Sequence, residues 1–241
     1  MTIGSAAPNP LKQLTSITIP GTALLLLMAI VAFWPSYIAD PVKLGSGYTH
    51  FHAITGALWF ALVLIQPVLI QSGRRDLHRN IGRISWLLGP LTILAMFLGA
   101  HATQEMFQVT RGEVLPYVFW LQWWLGLMFG VFWVLAMVLR KDRFLHARFM
   151  VATTLTFIDP VVARVAGRLF EISGQHASFT VINLVLLGLI YIDRNAPRRR
   201  WVWPAVLVAF LAFEIPMLLG FATSETWRAV TLAYVSLPLT P

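Results

Sequence analysis

The sequence contains no cysteine, which removes disulfides, thiolate metal sites and cysteine nucleophiles together. Any metal must then be held by histidine, carboxylate or thioether. Charge is scarce too. Only 12% of the 241 residues are charged and 58% are hydrophobic, against roughly 25% and 45–50% in soluble domains. With a mean hydropathy of +0.72, the chain has too few polar side chains to coat a water-facing surface, and it requires lipid as solvent. Also missing are a glycine-rich phosphate loop, an H-E-x-x-H pair and a serine–histidine arrangement for hydrolysis. The net charge of +8 would suit nucleic acid only as a soluble basic face. Here it is confined to loops between apolar runs, so no nucleic-acid partner is expected and the lipid bilayer is.

What is present is a series of apolar runs. Seven are predicted as membrane-spanning helices, about 17–38, 49–71, 81–103, 115–139, 145–169, 178–194 and 201–222. Most approach the ~20 residues that cross a ~30 Å hydrocarbon core; the sixth is short. All should be helical, because a segment in lipid must satisfy its own backbone hydrogen bonds. No linker divides them, so the expectation is an all-α polytopic bundle forming a single domain. On one side of this topology lie Lys12, Arg74, Arg75, Arg79, Arg83, Arg140, Lys141, Arg143, Arg148, Arg194, Arg198, Arg199 and Arg200. The other side holds Lys43, Arg111, Arg164, Arg168 and Arg228. That asymmetry puts the N-terminus in the cytoplasm and the C-terminus outside.

The first run is expected to remain a span. Lys12 stands alone before it, and the run exceeds the 7–15 apolar residues of a secretory leader, although Tyr37-Ile38-Ala39 faintly resembles a cleavage site. After the seventh run, Trp227, Val230, Thr231 and Tyr234 recur at helical spacing behind Thr223 and Ser224, either a suitable cap. A short helix over about 225–236, lying on the outer face with its aromatics at headgroup level, is expected.

Topology gives the histidines addresses. His78 and His146 open the third and fifth spans at the cytoplasmic face, while His50, His52, His101 and His176 lie near the outer one. His52 and His101 are equidistant from the middle of the loop joining their spans, and so share a depth. At ~100° per residue His50 and His52 cannot face one site on a helix; either the helix starts after His50 or one of them looks outward. Gly56, one turn from His52, leaves room for a flat or bulky group, and His101 and Glu105 have the i, i+4 spacing of a single face.

Two acids sit deeper. Asp159 lies about 14 residues, roughly 21 Å, along the fifth span, and Glu214 lies in the outer half of the seventh. Ionisable groups at such depth cost at least ~2.5 kcal/mol unpaired and face a bundle interior or wet cavity. Pro160 and Pro216 adjoin them, and each proline removes a helix hydrogen bond. Together with Asn183 they outline a polar cavity open to the outside.

Simpler roles compete. His50 and Arg168 suit interface residues, and His176 a loop. Arg164, Arg168 and Glu171 have the spacing of a snorkelling ion-pair ladder. His52 and His101 could donate to carbonyls across the hairpin. Gly126 and Gly130 fit a helix-packing motif, and Trp120, Trp123 and Trp124 fit an aromatic belt. His78 and His146, at helix N-termini among Arg79, Arg83 and Arg148, suit an anionic headgroup.

His52 with G-A-L-W-F after Gly56, Gln66, the R-R-D-L-H-R-N-I-G-R run at 74–83 and H-A-R-F-M at 146–150 resemble a family of bacterial multi-pass membrane proteins catalogued as a domain of unknown function. Its pattern is a helix-start histidine, a glutamine near the end of that helix, H-R-x-x-G-R in the loop, and a later H-x-x-W-M. Phe149 stands where tryptophan is usual. The resemblance covers about residues 50–165 and implies a protein of the bacterial inner membrane, with no activity attached.

Three functions remain open at this point. In a redox or metal protein, His52 and His101 would ligate a haem b iron, or a copper-type ion together with Glu105. Gly56 and Gly99 would give space and Arg164 or Arg168 would meet the propionates, with a membrane redox partner supplying electrons. In a proton-coupled transporter of a small solute, Asp159, Asn183 and Glu214 would form the pathway, with His101 as relay. In an accessory or assembly subunit of a membrane complex, the same polar groups would only fix helix packing.

Overall fold

The computed structural model describes residues 10–41, 46–196 and 198–239; Lys43, counted above on the outer side, lies outside them. Ten α-helices follow in order: α1 (Pro10–Phe33), α2 (Gly47–Gln71), α3 (Arg75–Gly82), α4 (Ser85–Arg111), α5 (Pro116–Val138), α6 (Arg143–Leu155), α7 (Ile158–Leu169), α8 (Gly174–Asp193), α9 (Val202–Leu218) and α10 (Glu225–Val235). A π-helical turn, Trp34–Ile38, extends α1. No strand occurs among the described residues.

Six helical stretches are long and apolar enough to cross a membrane: Leu11–Ile38, Gly47–Gln71, Ser85–Arg111, Pro116–Val138, Arg143–Leu169 and Gly174–Asp193. Leu24, Leu27, Leu58, Leu87, Leu184 and Val208 stay exposed on the outside of the bundle. An apolar surface of that extent needs lipid against it. The chain is therefore a multi-pass, all-α membrane protein. α9 is apolar but has only 17 residues, about 26 Å of helix. The run expected to reach residue 222 ends early because Gly220 turns the chain with a φ of +83°.

Local chemistry sets the boundaries. Ser46, Ser173 and Ser224 cap α2, α8 and α10, each accepting from the amide three residues on. The Ser173 cap gives the sixth apolar run 20 helical residues rather than a short span. Asp142 caps α6 through Phe144 and Leu145 N–H. The third run divides into α3 and α4, and α4 continues to Arg111 before Gly112 terminates it in the left-handed region.

α2 packs chiefly on α4, α5 on α4 and α6, and α7 on α8 and α1. The α6–α7 span is the most interior, with 67% of its apolar window buried against 17% for α1. Gly126 and Gly130 do let α5 approach α4: added methyls would meet Met96 at 3.5 Å and Ile93 at 3.4 Å. The aromatic belt is different from the one expected. Trp120 is buried and donates to the Phe213 carbonyl at 3.1 Å. α10 forms where the spacing placed it, but its aromatics turn inward. Trp227 donates to Pro116 O and Tyr234 to Phe97 O, both at 2.9 Å, so they seal α10 onto α4 and α5 instead of meeting headgroups.

Candidate functional site

The fifth apolar run is two helices, and the break between them builds the site. Thr153 and Thr156 back-bond to Met150 O (2.6 Å) and Thr153 O (2.8 Å), a habit that loosens a helix. Pro160 has no N–H and its ring crowds the carbonyl four residues back, at Thr156. α6 therefore stops at Leu155, and α7 restarts at Ile158 with Asp159 in its first turn, where the helix dipole favours an acid. Trp59 Nε1 donates to Thr153 Oγ1 at 3.2 Å and pins the break to α2.

Asp159, 3% exposed, accepts from Ser178 Oγ on α8 at 2.6 Å. One turn further along α8, Asn183 donates to Glu214 Oε2 on α9 at 2.6 Å and to Phe179 O at 2.8 Å. Glu214 is 2% exposed, and its Oε1 is enclosed without a hydrogen-bond partner among the described residues. The structure thus forms two hydrogen-bonded pairs along α8, Asp159 of α7 with Ser178 and Glu214 of α9 with Asn183. Ser178 gave no sequence signal, being one hydroxyl in an ordinary helix start.

Arg164 and Arg168 turn to α1. Arg168 donates to Ala32 O and Arg164 to Pro160 O, both at 2.8 Å, and the Arg164 guanidinium lies 4.5 Å from the Phe33 ring centre. The expected ladder with Glu171 does not form among the described residues.

His52 packs beside Gly99 of α4, and His101 does not share that face. α2 begins at Gly47, so His50 and His52 are both helical; His50 looks away and meets the Tyr37 hydroxyl at 2.9 Å. A methyl on Gly99 would touch His52 Cβ at 3.4 Å, so position 99 of α4 faces His52 and position 101, about 200° on, faces elsewhere. His101 packs edge-on against Tyr234 and its Nε2 bonds the Leu237 carbonyl at 3.2 Å. Phe157 lies 4.0 Å from where a Gly56 methyl would be, in the room read as space for a flat group. Glu105 is half-buried one turn beyond His101, and no group of three or more His, Asp or Glu among the described residues is placed to hold a metal. A haem or copper ion shared by His52 and His101 does not fit this arrangement. His176 sits at the exposed start of α8, its Nδ1 2.7 Å from Ser173 Oγ.

A second polar centre lies at the opposite end. The Gln66 amide, oriented with its nitrogen toward His78 and its oxygen toward Gly82 N (3.3 Å), donates to His78 O at 3.0 Å and to His78 Nδ1. His146 Nδ1 donates to Ala136 O at 2.9 Å. Burial lowers the His78 pKa, a bond from the ring to the Gln66 backbone carbonyl opposes this, and the His146 and Arg79 charges lower it further, leaving it below the ordinary histidine value. Gln66, His78 and Gly82, scattered along the quoted motif, thus meet in space.

Arg79 and Arg83 are exposed there, as a headgroup contact requires. Arg148 is not. It is 1% exposed and makes a two-point ion pair with Asp193 on α8 at 2.8 and 2.6 Å, with a further bond to Phe144 O. Counting only Lys and Arg by side hid Asp193 as its partner. At Asp142, burial alone would raise the pKa. Hydrogen bonds from Arg199 (2.9 Å) and from the α6 amides, with the Arg199 charge, outweigh it and hold the carboxyl below the usual range. Comparisons with protein-family models, with curated proteins and with solved structures found no match.

Proposed function

We propose that the protein is a proton-coupled transporter of a small solute in the bacterial inner membrane, with Asp159 and Glu214 as the proton-exchanging groups and Asn183 and Ser178 as their polar partners. α9 would be the seventh span, which places the N-terminus in the cytoplasm and the C-terminus outside, as the Lys and Arg distribution favours. The observation that carries the proposal is the helix break. The most interior span is interrupted, and a half-helix start presents Asp159 to α8. Discontinuous helices whose ends meet polar groups are the usual material of transport sites. A carboxylate in such a core costs at least ~2.5 kcal/mol unless paired. Its proton is therefore exchanged against whatever else occupies the site. Glu214 Oε1, enclosed and unpartnered, is the free position for such an exchange.

The accessory-subunit reading draws on the same contacts, since Asp159–Ser178 and Asn183–Glu214 also fasten three helices. The test separates them. Proteoliposomes carrying a pH dye inside are held under an inward proton gradient while amines, amino acids and polyols are added outside. At least one class should trigger proton uptake several-fold above empty vesicles, and Asp159→Asn and Glu214→Gln should abolish it without lowering Tm. No response to any class, with both variants less stable than wild type, would put the fastening role in its place.

A further inference from the structure

α1 ends where the chain turns into α2, and α3 follows the far end of α2, so the last turn of α1 lies at the end of the bundle opposite α3. Two arginines of α7 close on that turn. Arg164 and Arg168 stand four residues apart, hence on one face of their helix, and both are anchored to consecutive residues of α1. Arg168 Nη1 donates to Ala32 O at 2.8 Å. The Arg164 guanidinium lies 4.5 Å from the centre of the Phe33 ring, while its Nη1 donates to Pro160 O at 2.8 Å. Neighbouring anchors on α1 thus bring the two guanidinium groups to one place.

No carboxylate among the described residues pairs with either of them. Asp159, on the same helix, accepts from Ser178 instead. Each guanidinium spends one nitrogen on a carbonyl, which leaves Nε and Nη2 without a protein partner among the described residues. Both arginines are exposed. An arginine that merely snorkelled would keep a mobile head in water. Here the Ala32 bond and the Phe33 ring hold two forks in place, and such forks match the oxygens of a phosphate two at a time. The residues around them in the chain are apolar: Trp34, Leu169, Phe170 and Ile172 are all exposed. Tryptophan and aliphatic side chains uncovered at the end of a membrane bundle sit at headgroup level, so a phosphate that reaches these arginines comes with acyl chains.

We infer that Arg164 and Arg168 bind the phosphate of one anionic lipid at the end of the bundle opposite α3, and that this lipid fastens α1 to the interrupted span. α1 is where such a fastening counts, since only 17% of its apolar window is buried against 67% for the α6–α7 span. The lipid adds to the two existing anchors and displaces neither, because it takes the nitrogens they leave free.

The full-length protein is placed in nanodiscs of phosphatidylcholine alone, of phosphatidylcholine with phosphatidylglycerol, or of phosphatidylcholine with inorganic phosphate in the buffer, and Tm is read in each. At a hundredfold excess over the dissociation constant, phosphatidylglycerol should raise Tm by roughly 5–10 °C, and inorganic phosphate should not. The rise should vanish in the Arg164→Gln, Arg168→Gln double variant. Arg198→Gln with Arg200→Gln, between α8 and α9, removes the same charge elsewhere and should keep the whole rise. Should the first double variant be unstable, Arg164→Gln alone takes its place; it leaves the Arg168 bond to α1 intact and should lose at least half of the rise. Four results would each overturn the site: no rise with phosphatidylglycerol, an equal rise with inorganic phosphate, a rise undiminished by the Arg164 and Arg168 substitutions, or an equal loss in the Arg198, Arg200 pair.

Discussion

Replacing Asp193 by Asn tests the buried ion pair between α6 and α8 most sharply. Arg148 is 1% exposed and Asp193 11%, and two of the guanidinium nitrogens bond the carboxylate at 2.6 and 2.8 Å. Asp193→Asn removes the charge and leaves Arg148 with the Phe144 carbonyl and a weakened amide contact. An uncompensated buried charge costs about 3–5 kcal/mol, which in a chain of this size is a fall in Tm of roughly 6–20 °C. Replacing both members, as Arg148→Met with Asp193→Leu, should cost much less than Asp193→Asn alone, because no charge is then left buried. Thermal unfolding in one detergent, followed by tryptophan fluorescence, reads all three variants. If Asp193→Asn and Arg148→Gln both melt within about 2 °C of wild type, the guanidinium reaches lipid headgroups after all and the pairing is wrong.

A methyl on Gly89 would overlap the Trp133 indole, so Gly89→Ala should lose about 1–3 kcal/mol, measurable as a lower Tm and restored by Trp133→Leu in the same chain. Asp142 has its carboxyl pKa depressed by Arg199 and two α6 amides. Its contribution is therefore full above the unfolded value of about 3.9 and is lost as pH falls through the lower folded value; amide exchange at Phe144 and Leu145 should accelerate across that window, and Asp142→Asn should flatten the change. Since His101 Nε2 is engaged by Leu237 and His52 faces another side of α4, the reduced-minus-oxidised spectrum of purified protein should show no b-type band that both His52→Ala and His101→Ala abolish. Such a band would restore the haem reading.

What the sequence disclosed follows a physical line. Solvent was legible: runs such as 115–139 are too apolar for water, and the structure returns them as helices with Leu, Ile and Val turned outward. Depth was legible to within a turn, because ~1.5 Å per residue is fixed by the helix; His52 packs beside Gly99, two residues from His101. Facing was not. In lipid both sides of a helix are apolar, so the periodicity that orients a soluble helix is nearly flat in α4 and α9, and nothing told which way His101 points. The α6–α7 break was half visible in Asp159-Pro160. It sits three residues before the proline because the Pro160 ring crowds the Thr156 carbonyl one turn back, where Thr153 and Thr156 also draw on the backbone.

The two polar centres also answer to different constraints, and this explains why one motif marks only the one at α3. At the α3 end the groups are tied over short sequence distances or by turns: Gln66 to His78 and Gly82, His146 to Ala136. A loop of fixed length between two helices sets those distances, so spacing in the chain carries them. Asp159, Ser178, Asn183 and Glu214 instead meet through the packing of three helices, with no loop geometry that fixes their contacts. Changes in helix length or tilt would move them independently, and residue type at a given depth is all the sequence can record. Asp159 and Glu214 could be found by their cost in lipid, whereas their partners required the fold.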